Sequence, residues 1–222
     1  GIIEANPFAD VEPPKVDKPE PRIITPAERD TFTTWLSDRW DGWRLPLLFL
    51  EVKATIGCRI RELAALPTSN LQDGRLTFEA VSAKGRKTRR CKLPTALYDE
   101  LRSIAGPNFV FERFPDQLRE LLLRRRRPHH AKCVKSSFDP GCLVNWLQDR
   151  LVEFRKAHRD IPRFKLHNFR GTAMSRAKEA GASFDEAAIA FGCHVETMRR
   201  HYVKLDETAI SDAVMDRIQE GK

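Results

Sequence analysis

Between residues 71 and 93 the chain changes its hydrophobic period, and that change limits its fold more than any other feature. Leu76, Phe78 and Ala80 alternate with polar residues, Gly85 marks a turn, and Cys91 and Leu93 follow. A period of two over so short a stretch predicts two or three short antiparallel strands. Leu71-Gln72-Asp73-Gly74 supplies the turn that opens the first of them. On both sides the period is helical. Thr25-Pro26-Ala27-Glu28 reads as a helix start: a cap residue, proline at the first helical position and glutamate three after the cap. Phe32, Trp35 and Leu36 continue it at helical spacing. A second helix is expected over residues 44–55, ending at Gly57, and a short third over residues 59–65, stopping before Pro67. Beyond Pro94, residues 95–105, 115–126, 139–158, 167–180, 184–191 and 195–203 place apolar residues at i, i+3 and i+4. Strands and helices do not alternate along the chain, so no parallel sheet is indicated. The expected class is mainly α with a small antiparallel β-sheet.

The two ends differ from this body. Residues 1–24 carry Pro7, Pro13, Pro14, Pro19 and Pro21 with little periodicity and read as an extended arm or linker. A linker at the start implies a preceding segment, so the chain is expected to be a fragment. Residues 25–205 form the expected folded body. Residues 206–222 form an expected C-terminal helix, with Ile210, Val214 and Ile218 at i, i+4 and i+8 as a single stripe. Asp206 suits its N-cap, and Glu207 lies in the first turn, where the helix dipole favours an anion.

Composition then narrows the partners. The formal net charge is +8, which favours a polyanion, nucleic acid first. Five cysteines at irregular spacing make a poor disulfide framework and fit a reducing, cytoplasmic compartment. The acidic, proline-bearing start is not a secretory signal. The apolar stretch near residues 45–52 is too short to span a bilayer, so no membrane partner is expected. The chain has no Walker-type glycine-rich loop.

Four groups of residues can carry chemistry. Of the two tyrosines, Tyr98 sits inside an amphipathic helix. Tyr202 sits in Met198-Arg199-Arg200-His201-Tyr202-Val203-Lys204, where bases favour both phosphate binding and the phenolate, although a solvated helix face has the same composition. His167 and Arg170 are three apart and share a helix face, so one can exchange a proton while the other holds an anion. In Gly57-Cys58-Arg59-Ile60-Arg61-Glu62-Leu63, Arg59 can offer a planar donor fork to a phosphate, with Glu62 placed to orient it; a surface ion pair has the same spacing. Lys84-Gly85 lies at a basic hairpin tip, from which a lysine can enter a groove and donate a proton, or stay solvated.

In this order, G-x-R-x-x-E-L, a strand-turn Lys-Gly, H-x-x-R, then a glycine-containing turn and a tyrosine, the pattern resembles the catalytic domain of the tyrosine-type site-specific DNA recombinases (the phage integrase family). The resemblance covers roughly residues 25–215. It implies the catalytic-domain fold of that family and a site made of Arg59, Glu62, Lys84, His167, Arg170 and the nucleophile Tyr202. The implied reaction is cleavage and rejoining of DNA strands through a 3′-phosphotyrosyl intermediate. Two arginines stabilise the phosphorane, the lysine acts as general acid and the histidine as base or hydrogen-bond partner. No cofactor and no metal are expected. The partner implied is double-stranded DNA, bound by a homotetramer on paired sites formed from a monomer in free solution. A bacterial or phage-encoded enzyme of DNA integration on a mobile genetic element is the implied setting. A recombinase-derived, non-catalytic DNA-binding adaptor and a type IB topoisomerase-like enzyme remain alternatives. The H-x-x-R favours a recombinase over the latter, which usually has lysine in place of the histidine.

The match departs from the family in places. The family usually has His or Trp after a glycine, nine residues before the nucleophile. Here Cys193 follows Gly192 at that spacing and His194 comes one residue later. Either Cys193 holds the slot or His194 fills it by a local shift. A thiol donates weakly, so Cys193 could slow the chemistry, or it is a small buried thiol. Gly171 stands where the family often has His, and Ile56 where Thr is common. Arg124–Arg127 is either a DNA-backbone patch or a solvated helix end. His129, His130, Cys133 and Cys142 match no standard zinc signature.

Overall fold

A computed structural model describes residues 22–80, 88–132, 134 and 137–201. Lys84, Cys133, Tyr202 and the expected C-terminal helix lie outside the described residues. The element order is α1 (Pro26–Arg39), α2 (Arg44–Ile56), α3 (Ile60–Ala64), β1 (Leu71–Gln72), β2 (Arg75–Phe78), β3 (Arg89–Lys92), α4 (Thr95–Ile104), α5 (Phe114–Arg124), α6 (Pro128–Lys132), α7 (Pro140–Ala157), α8 (Asn168–Glu179), α9 (Phe184–Phe191) and α10 (Val195–His201). This is the expected mainly α chain with one small antiparallel sheet. The short α6 and a 3₁₀ turn at Thr68–Asn70 are additions that no periodicity announces, since one turn of helix has no repeat to read.

Local chemistry explains the ends of the elements. Thr25 caps α1 through a capping box with Glu28, and Pro26 opens the helix. Ahead of that cap, Ile24 is buried and its N–H donates to Thr172 Oγ1 at 2.8 Å, so the end of the arm is tied to α8. The β1–β2 hairpin turns through Asp73 and Gly74, both at positive φ (50° and 71°), the combination a two-residue type I′ turn requires. The sheet order is β1-β2-β3, with Leu76 opposite Cys91 and Phe78 opposite Arg89.

Two apolar clusters form. The larger runs from Ile24 to Phe169 and is rich in aromatic rings; Phe32 meets Phe154 edge-on at 5.1 Å and Phe164 at 5.9 Å. Helix α2 packs into it, burying Leu48, Phe49, Leu50 and Val52 and leaving Arg44, Glu51 and Thr55 exposed on one face. The smaller cluster has five buried members on α8, α9 and α10: Ala173, Met174, Ala187, Phe191 and Met198. Helix α8 belongs to both, with Phe169 in the large cluster and Met174 in the small one. Gly57 sits where the two meet. Its φ is +59°, and a Cβ there would stand 2.6 Å from the Phe191 ring and 2.9 Å from Ala173 Cβ. Both the turn and the close approach exclude a side chain.

The arginine run at residues 124–127 is partly structural. Arg125 pairs with Asp41 at 2.9 Å and lies 4.9 Å over the Trp40 ring, while Arg124 pairs with Glu120 on its own helix. Among the described residues no group of three metal-ligating side chains comes together, and no helix is long and apolar enough to cross a membrane.

Candidate active site

The seam between the two clusters carries the polar residues singled out in the sequence. Helix α2 ends at Gly57, which turns the chain so that Arg59 becomes the N-cap of α3 and Glu62 its third residue. Arg59 Nη1 donates to Glu62 Oε1 at 2.8 Å, and Arg59 Nη2 to the Gly192 carbonyl at 3.2 Å. Glu62 is buried, its side chain only 5% exposed, so this is not a surface ion pair. Burial works to raise the Glu62 pKa, but Arg59 and Arg89 outweigh it and hold the carboxyl below its ordinary value.

From the other side come α8 and α9. His167 is the N-cap of α8, and the Arg170 N–H donates to its carbonyl at 3.0 Å. Arg170 is 1% exposed. Its Nη1 donates to the Gly57 carbonyl and its Nη2 to the Phe191 carbonyl, each at 2.7 Å. The guanidinium plane is thus fixed by the C-terminal carbonyls around two helix ends, those of α2 and α9. Electrostatically these are well suited to a cation. Arg59 lies at the surface of this cluster and Arg170 beneath it.

His167 is exposed at its surface, yet its ring is crowded by cations. Desolvation, followed by Lys53, Arg170, Arg59 and Lys165, presses its pKa down from 6.5 to about 4. At neutral pH the ring is therefore uncharged and a weaker base than an ordinary histidine. Cys193 is half-buried and hydrogen-bonds with the Arg170 side chain; burial raises its thiol pKa against the pull of Arg170 and Arg59. His194, one residue on, is exposed. Of the two candidates for that slot, Cys193 is the one that faces the arginines.

Two residues of this cluster escaped the sequence reading. Lys53 is fully buried on α2 and donates from Nζ to the Cys58 carbonyl at 2.8 Å. Burial lowers its pKa to about 8, with Arg170 adding to the effect and Cys58 and Glu62 opposing it. Burial likewise pushes the Cys58 thiol up to about 11. Arg89, the first residue of β3, is the second partner of Glu62. Strand alternation could have placed Arg89 inward opposite Phe78; Lys53 had no such signal, since α2 also carries the exposed Arg44 and Glu51. Of the expected site, the described residues thus bring together Arg59, Glu62, His167, Arg170 and Cys193, leave His194 at the surface, and do not include Lys84 or Tyr202.

No protein-family model matches this chain, and no curated protein sequence matches it. Solved structures do. XerA recombinase superposes with a TM-score of 0.58 at 16% identity, covering 94% of this chain and 68% of that one. The Tn1549 transposon integrase in complex with transposon right-end DNA gives 0.65 at 15% identity, covering 98% and 73%. A lambda integrase tetramer bound to a Holliday junction gives 0.55 at 16%, covering 85% of this chain and 50% of that one. At such identities what is shared is the fold: this chain has the catalytic-domain fold of the tyrosine recombinases.

Proposed function

We propose, from the tyrosine recombinase fold and the cationic cluster it carries, that this chain cleaves and rejoins DNA strands, with Tyr202 as nucleophile. The observation that carries the reading is the convergence of Arg59, Glu62, His167, Arg170 and Cys193, from three separate stretches of sequence, on one seam where the two guanidinium groups bond the carbonyls of Gly57, Phe191 and Gly192. Structural packing alone does not require two guanidinium groups and a neutral imidazole at one seam.

The chemistry follows from those groups. The Tyr202 phenol oxygen attacks the scissile phosphorus, its proton passing to the uncharged His167. The bond from phosphorus to the 5′-oxygen breaks, and Lys84 supplies the proton that the leaving oxygen takes up. Charge builds on the equatorial oxygens between these steps, where Arg59 and Arg170 stabilise it. Cys193, hydrogen-bonded to Arg170, holds the position in which the family uses a stronger donor. The 3′-phosphotyrosyl bond stores the energy of the broken one, and attack by a 5′-hydroxyl reverses the sequence. Residues 25–205 form the catalytic domain in this reading, and residues 206–222 a helix that docks on a neighbouring subunit. In the same reading the chain is a monomer in free solution and a tetramer on paired DNA sites; the lambda integrase tetramer bound to a Holliday junction supports the tetramer. The wider setting is site-specific integration by a bacterial or phage-encoded enzyme working on cytoplasmic DNA.

The thiol at position 193 favours one second reading, a non-catalytic DNA-binding adaptor. A nicked suicide substrate separates the two. The chain should form a denaturant-resistant adduct with it, and Arg59→Ala or Arg170→Ala should slow that step roughly 10²-fold, the scale of losing one transition-state donor, with little change in DNA affinity. DNA binding without any adduct supports the adaptor.

A further inference from the structure

We propose that Arg89 is a positioning residue of this site, acting through Glu62 to set the direction of Arg59. The inference rests on the strand-cleavage reading only for its consequence; the geometry stands on its own. Arg89 is buried, its side chain 7% exposed, and it pairs through Nη2 with Glu62 Oε2 while Arg59 takes Oε1. One guanidinium is enough to balance the charge of Glu62. A second one taken out of water costs desolvation that its ion pair does not reliably return, so its place calls for more than neutralisation.

Its surroundings supply that role. Arg89 Cζ lies 4.5 Å over the Phe78 ring, its partner across the β2–β3 ladder. On the opposite side Nη1 would be 2.8 Å from a Cβ built on Gly192. Gly192 takes φ +61° as the C-cap of α9, and its carbonyl accepts from Arg59 while the preceding Phe191 carbonyl accepts from Arg170. Arg89 therefore touches both groups that fix Arg59: the Glu62 carboxylate and the Gly192 turn. It is also the first residue of β3, the strand that follows residues 79–88, which include Lys84, in sequence. That strand is thus tied, through one buried guanidinium, to the arginine at the surface of the site.

The test is a double-mutant cycle in the full chain with Arg89→Met and Glu62→Gln. Two readouts are taken: adduct formation on the suicide substrate, and NMR of the Arg59 guanidinium without DNA. Arg89→Met should slow adduct formation about 10-fold or more with DNA affinity within about threefold of wild type, on the scale of misplacing a transition-state donor. It should also move the acid limb of the pH–rate profile upward, because Glu62 then keeps Arg59 with, among the described residues, Lys53, Cys58 and Cys91 as its other titrating neighbours. Arg89→Lys, which keeps the cation on Glu62, should restore the wild-type profile. The double variant should cleave no more slowly than Glu62→Gln alone, since Arg89 acts through that carboxylate. It leaves no buried charge unpaired, so it reports even where Arg89→Met fails to fold.

Additive losses in the cycle, or a folded Arg89→Met that cleaves at the wild-type rate, overturn the proposal. The NMR arm separates it from the cleavage reading. The Arg59 Nη signals should be resolved in wild type and averaged by rotation in Arg89→Met, whether or not the wild-type chain cleaves DNA. Unchanged Arg59 signals in the variant refute the positioning role, and absence of any wild-type adduct refutes the cleavage reading alone.

Discussion

The large aromatic cluster and the small cluster on α8–α10 are stabilised in different ways. The first is thick and heavily interlocked, with Phe32 in contact with the Trp35, Phe154 and Phe164 rings. The second has five buried members, and Ile189 on α9 is 78% exposed beside it. What joins them is polar: Arg170 reaches carbonyls of Gly57 and Phe191, and Arg59 that of Gly192. The candidate site is therefore a seam, with a rigid wall on one side and a lightly packed one on the other. Segments with few buried apolar contacts open at lower free energy than core elements. The side that supplies Cys193, and that leads directly in sequence to Tyr202, is the one that can move.

This contrast can be broken most forcefully in the core. Phe32→Ala should cost about 3–5 kcal/mol of global stability, as large aromatic truncations in packed cores do. Phe191→Ala should lower the global unfolding midpoint less and instead speed amide hydrogen exchange along α9 and α10 while leaving α2 protected. Equal global losses from the two, with exchange unchanged in α9, would make the clusters one cooperative unit.

At the contact between them, Gly57→Ala adds a left-handed non-glycine residue and a Cβ that meets Phe191 and Ala173. The two effects together should cost about 2–4 kcal/mol. Denaturant unfolding reads the loss, and a neutral result would mean that the seam relaxes freely.

Two titrating groups at the seam, the buried Lys53 and the exposed His167, give a smaller, pH-dependent effect. Lys53 titrates near 8 in the folded chain against an ordinary 10.5, so the unfolded chain binds more protons between those values. Stability should therefore rise as pH climbs from 8 to 10.5, by about 2–3 kcal/mol from this group. His167, held near 4 against 6.5, acts in the same direction lower down: stability falls as pH drops from 6.5 towards 4. Comparing pH–stability curves of wild type and Lys53→Met isolates the upper limb, which the variant should lack. A curve unchanged by the substitution contradicts the buried, depressed lysine.

What the sequence disclosed follows the range of the forces involved. Periodicity and capping chemistry act within a few residues, so Thr25-Pro26-Ala27-Glu28, the Asp73-Gly74 turn and, α6 apart, the helices from Thr95 to His201 were legible. The order of Arg59, Glu62, His167 and Arg170 carried the resemblance because chemistry fixes residue types as well as spacing. What stayed hidden depends on tertiary distance. Nothing local marks Lys53 as buried or pairs Arg89 with a glutamate 27 positions away. The spacing of His167 and Arg170 put the two on one helix face but could not say how deep each lies; the fold leaves His167 at the surface and sinks Arg170 beneath it. The choice between Cys193 and His194 likewise needed the αL turn at Gly192, which turns the thiol toward Arg170.

The central claim, strand cleavage by Tyr202, is tested most directly by trapping the adduct and finding where it is attached. The chain is incubated with a nicked suicide substrate bearing its site, the covalent product is digested with protease and nuclease, and the modified peptide is identified by mass spectrometry. The account predicts a nucleotide-bearing phosphate on Tyr202 in the wild-type chain, and no adduct from Tyr202→Phe, which should still bind the same DNA with nearly unchanged affinity. An adduct that survives Tyr202→Phe, or one that maps to Tyr98, would contradict it.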